Sequence, residues 1–184
     1  MTEKEKMING LMYNSNIDDE LIKDRIIAKE LCYKYNNLHP SKTKKKNIIL
    51  KKLFKTIGEE FLIEQNFYCD YGYNIEIGED FYSNHNLVIL DCAKVTFGDN
   101  IFIGPNCGFY TAGHDINFEN RNKGLEYAKS ITVGNNVWFG GNVVVLPGVR
   151  IGDNTVIGAG SVVVEDIPSN VIAAGNPCKA LRKI

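Results

Sequence analysis

A strict step of six residues constrains this chain more than any other feature. Large apolar residues stand at Val133, Phe139, Val145, Ile151, Ile157 and Val163. A second set follows four positions after each, at Val137, Val143, Val149, Thr155, Ser161 and Ile167. Phe97 with Ile101, and Ile103 with Cys107, keep the same phase, while Ile77 with Phe81 repeats the pattern two residues out of phase. No α-helix has this period. A β-sandwich alternates apolar and polar residues too, but spaces its turns every 8–12 residues. The pattern predicts short flat strands, three to a triangular turn, with the large residue pointing into a narrow interior. The small residue that follows, most often glycine, is expected to let the backbone bend at each corner. Stacked turns then pair backbone to backbone and leave no long free edge.

The count breaks once. Residues 112–130 are polar, lack the hexad, and carry His114 and Glu126. An insertion in a solenoid maps to a loop on one face, often the binding face. Before residue 60 the pattern is helical instead. Met7, Leu11 and Met12 suggest a short first helix. Ile17, Leu21, Ile22, Ile26, Ile27 and Leu31 form an apolar stripe that Asp18 or Ser15 can cap. After Pro40, Ile48, Ile49, Leu53, Phe54 and Ile57 form another, with Gly58 as its stop. The chain therefore divides into a helical region, 1–60, and a repeat domain, 61–184, with the loop 112–130 and a C-terminal tail.

The chain has 184 residues, 44% of them hydrophobic and 23% charged, enough for one packed domain. Its net charge of −1 argues against a nucleic-acid binder. Seven lysines fall between Ser41 and Lys55 with no acid among them. They read as a solvated helix face or as an anchor for an anionic ligand; one Phe and no Arg do not suit a nucleic-acid patch. No stretch approaches the roughly 20 apolar residues of a membrane span. The first residues do not read as a secretory signal. Five cysteines without a C-x-x-C pair suit neither a disulfide framework nor a zinc site, so a reduced, cytoplasmic protein without metal is expected.

The segments Asp70–Ile75, Phe81–Asn84, Thr111–His114, Ile131–Trp138 and Ala173–Pro177, with the lysine-rich helical N-terminus, resemble the hexapeptide-repeat acyltransferases. Within them they resemble the maltose/galactoside O-acetyltransferase group. The resemblance covers essentially the whole chain. It implies a left-handed parallel β-helix, a homotrimer, acetyl-CoA as donor, a sugar as acceptor, and active sites between subunits.

Acetyl transfer to a hydroxyl needs a base, donors for the oxyanion and a grip on the thioester. The histidines are His39, beside Pro40, His85, beside Asn84, and His114. His114 matches the position of the family's base. The resemblance places acceptor contacts at Asp70 and Asn84, near Asp91 and Cys92, and at Ser15. Cys92 and Ser15 depart from the acids that members of the family carry there. Glu126 either orients His114, touches the acceptor or is solvated. By the same match Trp138 packs on the pantetheine arm, or else anchors a subunit contact. Gly141, Ala159, Val164, Glu165, Lys179 and Arg182 match coenzyme A contacts. Glu165 stands where a lysine is common, and an acid there opposes phosphate. Three competing readings share the scaffold. A γ-type carbonic anhydrase needs three zinc histidines, and only two lie in the repeat. An antibiotic or other xenobiotic, or amino-group, acetyltransferase differs in its acceptor pocket. A non-catalytic β-helix would lack a placed base.

Overall fold

A computed structural model describes residues 1–184. Three helices, α1 (Glu3–Ile8), α2 (Asp19–Asn36) and α3 (Thr43–Leu53), precede a left-handed parallel β-helix of about six turns. Its strands fall on three faces. The first face stacks Phe61–Ile63, Phe81–Ser83, Ile101–Ile103, Trp138–Phe139, Val156–Ile157 and Val171–Ala174, closed by the antiparallel Lys179–Lys183. The second stacks Tyr68–Cys69, Val88–Leu90, Gly108–Tyr110, Val144–Val145 and Val162–Val163. The third stacks Ile75–Ile77, Val95–Phe97, Ile131–Val133 and Arg150–Ile151.

The hexad residues fill the interior as expected. Val133, Phe139, Val145, Ile151, Ile157 and Val163 are all buried. Phe81, Phe97, Phe109 and Phe139 form a ladder of edge-on contacts, with centroids 5.3, 4.9 and 5.2 Å apart. Each fully buried Phe contributes about 1.5–3 kcal/mol of burial. The helices plug the open first coil. Leu31, Cys32, Tyr35, Leu50, Leu53 and Phe54 join the same core as Phe67 and Cys69, and the Phe54 and Phe67 rings meet edge to face at 5.4 Å.

The register explains the phase slip seen in the sequence. Two of the three corners keep the six-residue step in every turn, as in Ser83 to Ile89 or Phe97 to Ile103. All length variation sits at the corner between the second and third faces. That corner takes eight residues from Cys69 to Ile77 and from Ile89 to Phe97, twenty-four from Phe109 to Val133, six from Val145 to Ile151 and four from Val163 to Ile167. The insertion lies at this corner, beneath the two long early ones.

The glycines after the large residues serve a different purpose from the one expected. The positive φ values belong instead to Asp80, Asn100, Asn136 and Asn154, two residues further on. Asn and Asp tolerate the left-handed region best among residues with a Cβ. The glycines make room for the next coil. A Cβ on Gly134 would sit 2.2 Å from Asp153 Oδ1, the oxygen that accepts the Asn135 N–H at 2.6 Å.

The helical region settles the choice of cap and differs from its expected pattern in two places. Asp18, not Ser15, caps α2, accepting from Leu21 N at 2.9 Å. In α2 the buried line is Leu21, Ala28, Leu31, Cys32 and Tyr35, whereas Ile17, Ile26 and Ile27 are exposed. α3 ends at Leu53, before Gly58, because Phe54 turns into the core and Thr56 already pairs with Glu76 of the third face. The first coil thus begins before residue 61. Of the seven lysines, Lys46 is buried with its ammonium 5.7 Å from the centre of the Tyr35 ring; the other six are exposed. The loop 112–130 contains a hairpin, Ala112–His114 against Glu126–Ala128, and a short helix α4 (Phe118–Asn122).

The glycine reading is testable at Gly104, where a Cβ would fall 2.6 Å from Gly141 N and 2.7 Å from Gly140 C, both backbone atoms. Gly104→Ala must push two coils apart and should destabilise the protein by about 1–3 kcal/mol in urea unfolding. A loss below a few tenths of a kcal/mol would show that coil spacing does not demand glycine there.

Candidate active site

The long corner between the second and third faces is organised by one buried carboxylate. Asp91 has no exposed surface. Its Oδ1 accepts the N–H groups of Asp70 at 3.0 Å and Tyr71 at 2.9 Å, and its Oδ2 accepts that of Asn74 at 3.3 Å. The Asn74 amide donates to the Asp91 carbonyl at 2.7 Å. Asp91 was expected to contact an acceptor. Its carboxylate is buried and taken up by backbone donors, and it shapes the corner that presents Asp70. Burial, reinforced by the neighbouring Asp70 charge, pushes its carboxyl up to about 6 against the pull of its backbone donors.

Above it lies a cluster of polar side chains. Burial raises the Asp70 carboxyl, opposed by the Cys92 thiol, which donates to Asp70 Oδ2 at 3.4 Å, and by Arg25. Burial also pushes the Cys92 thiol up, which keeps it a donor. The Ser15 hydroxyl donates to the Glu126 carboxylate in a short contact. Arg25 donates to the Ser15 carbonyl at 2.8 Å and to the Tyr71 hydroxyl at 3.0 Å. The Tyr13 phenol is buried in the same cluster without a hydrogen-bond partner.

His114 ends the first strand of the hairpin, exposed, in register opposite Glu126. Its Nδ1 lies 3.2 Å from the Leu125 carbonyl. A carbonyl only accepts, so Nδ1 is the donor in this contact, and in the neutral ring that leaves the lone pair on Nε2. Glu126 turns its carboxylate to Ser15, and no ion pair links it to His114.

One chain thus brings Ser15, Asp70, Cys92, Glu126 and His114 to one corner. The remaining expected residues stand elsewhere. Asn84 lies where the first face turns into the second; its Oδ1 accepts the His85 N–H at 2.7 Å, which leaves its NH2 free to donate. Gly141 and Ala159 occupy the same corner in later turns, joined by Gly160 N donating to Gly141 O at 2.9 Å. Trp138 stands 56% exposed on the first face. Val164 and Glu165 lie on the shortest turn of the variable corner. Glu165 holds Lys179 at 2.6 Å, so the departing acid is paired to a nearby cation. Arg182 sits opposite Ile172 on the first face. His39, His85 and His114 do not converge, and no group of three His, Cys, Asp or Glu side chains can hold a metal. No helix is long and apolar enough to cross a membrane.

Sequence reasoning missed Tyr13, Arg25 and Leu125. Arg25 had a signal, being the only arginine before position 121. Tyr13 reaches the site by pairing with Glu126, a partner no local pattern announces.

Residues 6–58 match the maltose acetyltransferase hexapeptide capping motif, and residues 130–164 match the six repeats of the bacterial transferase hexapeptide. The galactoside O-acetyltransferase of Escherichia coli K12 is 45% identical over all of this chain and 90% of its own length. The solved maltose O-acetyltransferase from Clostridium difficile 630 superposes with a TM-score of 0.97 at 47% identity, over 100% of this chain and 98% of that one. A galactoside acetyltransferase solved in complex with coenzyme A gives a TM-score of 0.97 at 45% identity, over 100% and 92%.

Burial of Asp91 has a pH consequence. Its carboxyl is raised from an ordinary value near 4 to about 6, so between these values the folded protein binds more protons than the unfolded chain. Its contribution to stability should therefore fall as pH rises from about 4 to 6 and level off above. Asp91→Asn removes that titration. The stability of the wild type minus that of the variant, from urea unfolding at each pH, should decline across this window; a flat or rising difference would refute it.

Proposed function

The chain belongs to the hexapeptide-repeat acetyltransferases of the maltose and galactoside type, and we propose that it transfers the acetyl group of acetyl-CoA to a sugar hydroxyl. His114 is the general base, in sites shared by the subunits of a homotrimer. The observation that carries this reading is the imidazole of His114, fixed through Nδ1 with Nε2 free, beside hydroxyl-binding groups on Ser15, Asp70, Cys92 and Glu126. Carboxylates accept from sugar hydroxyls, and Ser15 supplies a hydroxyl that both donates and accepts. The acceptor hydroxyl donates to Nε2, and as its oxygen bonds to the thioester carbonyl the proton passes to His114. Collapse of the adduct breaks the C–S bond, and the imidazolium returns the proton to the departing thiolate. Trp138 offers an exposed ring for an apolar arm, and Lys179 and Arg182 offer cations for phosphates.

Two features support the trimer. Leu62, Tyr82, Phe102 and Trp138 form an outward ladder on the first face, with Leu62, Phe102 and Trp138 45%, 55% and 56% exposed. The outward positions of the third face are polar: Glu76, Thr96, Thr132 and Arg150. Such an apolar strip marks an interaction face, and closed symmetry is the usual way to cover one. The corner bearing Asn84, Gly141 and Ala159 also lies a whole face away from His114, so a neighbour's corner completes each site.

His114→Ala should lower turnover ~10²–10⁴-fold with coenzyme A affinity nearly unchanged, while Asn84→Ala should mainly raise the half-saturating sugar concentration. Retention of more than about a tenth of turnover by His114→Ala would move the role to His85. Sedimentation should give a trimer. Co-expressed His114→Ala and Asn84→Ala chains should recover activity above either alone at low sugar; no recovery would place both residues in one subunit's site.

A further inference from the structure

The carbonyl that fixes the His114 proton is itself clamped on both sides by the N-terminal segment. Leu125 lies between Lys123, whose carbonyl accepts the Asn14 amide Nδ2–H at 2.7 Å, and Glu126, whose N–H and C=O pair with the Tyr13 backbone at 2.9 and 3.0 Å. Gly124, at φ +80, packs against the same Asn14 amide. The hairpin thus gains an isolated antiparallel bridge at Tyr13 and a side-chain tie from Asn14, residues 109 or more positions away in the chain. That segment is anchored in turn. Glu3 of α1 accepts the Asn14 N–H at 2.6 Å, Lys4 ties α1 to Glu20 and Asp24 of α2 at 2.7 Å each, and Arg25 holds the Ser15 carbonyl. Asn14 is half-buried, lies outside every acceptor or coenzyme contact named above, and reaches the hairpin by one directional amide hydrogen bond.

We propose that Asn14 is a positioning residue of the acetyl-transfer reaction. Through the Lys123–Glu126 backbone it holds the Leu125 carbonyl where it keeps His114 in the Nδ1–H form. A hairpin with three-residue strands frays readily at its exposed His114 end, and a base displaced by an ångström loses much of its effectiveness. In water a histidine ring also populates the opposite tautomer, which puts the proton on the nitrogen that must accept one. Asn14 suppresses both losses, and through Glu3 and Lys4 it makes the folding of α1 a condition of a well-aimed base. This inference rests on the reading of His114 as the base.

Asn14→Asp isolates the contact, since it keeps the oxygen that accepts Asn16 N–H at 3.0 Å and replaces the donor facing Lys123 with a second oxygen. Turnover should fall roughly 10-fold, with the half-saturating acetyl-CoA concentration unchanged. In ¹⁵N-edited spectra of the imidazole, the His114 signals should move from the Nδ1–H pattern toward a mixture of tautomers. Asn14→Gln, which keeps a donor on a longer arm, should recover part of both. In a His114→Ala background, Asn14→Asp should have no further effect on turnover. Full activity of His114→Ala would remove the base on which the inference rests. An inactive His114→Ala with wild-type turnover and an unchanged tautomer in Asn14→Asp would overturn the role of Asn14 alone. So would lower thermal stability without either functional change.

Discussion

Everything in this molecule answers to the spacing between parallel rungs. Backbone pairing fixes successive turns at about 4.8 Å, and no side chain may intrude at the corners where they touch. That requirement puts glycine at positions such as Gly104 and Gly134, where a neighbouring backbone or carboxylate occupies the space of a Cβ. It puts Asn and Asp at the left-handed corner positions, several linked in ladders such as Asn136 to Asn154 and Asn154 to Asn170. It also stacks Phe81, Phe97, Phe109 and Phe139 through the interior. Two corners are locked at six residues, so only the third can change length. That corner carries the long turns, the insertion and His114, so the candidate site lies where the rung constraint is relaxed.

Much of the fold was legible because the constraint is periodic. A six-residue step names the inward residues one by one, and the break at 112–130 names the insertion. The two-residue slip between Ile77 and Phe97 was visible too, but its meaning needed the register: Asp91 sits in one of the two added stretches and holds the corner through backbone donors. The helical region was less legible. Ile26 and Ile27 look like core residues, yet α2 buries the line through Ala28, Cys32 and Tyr35, because a helix that plugs a coil end meets a small round target. The role of glycine was misread because steric exclusion by another turn is invisible to local propensity. Tyr13 and Asn14 escaped for the same reason, since their partners lie more than a hundred positions away.

The acceptor corner shows how far a fold must compensate for its site. Three carboxylates, Asp70, Asp91 and Glu126, share a small volume with one arginine. Asp91 is satisfied by backbone donors, Glu126 by Ser15, and Asp70 by a thiol that is a weak donor. Asp70 is therefore the least satisfied of the three, and burial raises its carboxyl in consequence. In the proposed reaction a sugar hydroxyl that donates to Asp70 would replace a weak bond with a stronger one. The energy of recognition would then come from a deficit that the fold itself carries.

The division of candidate site residues between two corners follows from the size of the prism. Six residues at about 3.3 Å each make a face roughly 20 Å long. Asn84 and His114 stand at opposite ends of the second face, and no asparagine side chain spans a fraction of that distance. The faces cannot bend to bring them together, since each rung is paired above and below. In the proposed trimer a deep site is built by setting one prism beside another, so that the corner of one meets the insertion of the next. The exposed ladder of Leu62, Phe102 and Trp138 is then the expected partner of the same geometry: the face that must approach a neighbour is the face that gains by leaving water. On the proposed reading catalysis and assembly are joined by the stiffness of stacked coils, and the N-terminal segment that bridges to the His114 hairpin at Tyr13 extends the same logic to the one element the coils leave free.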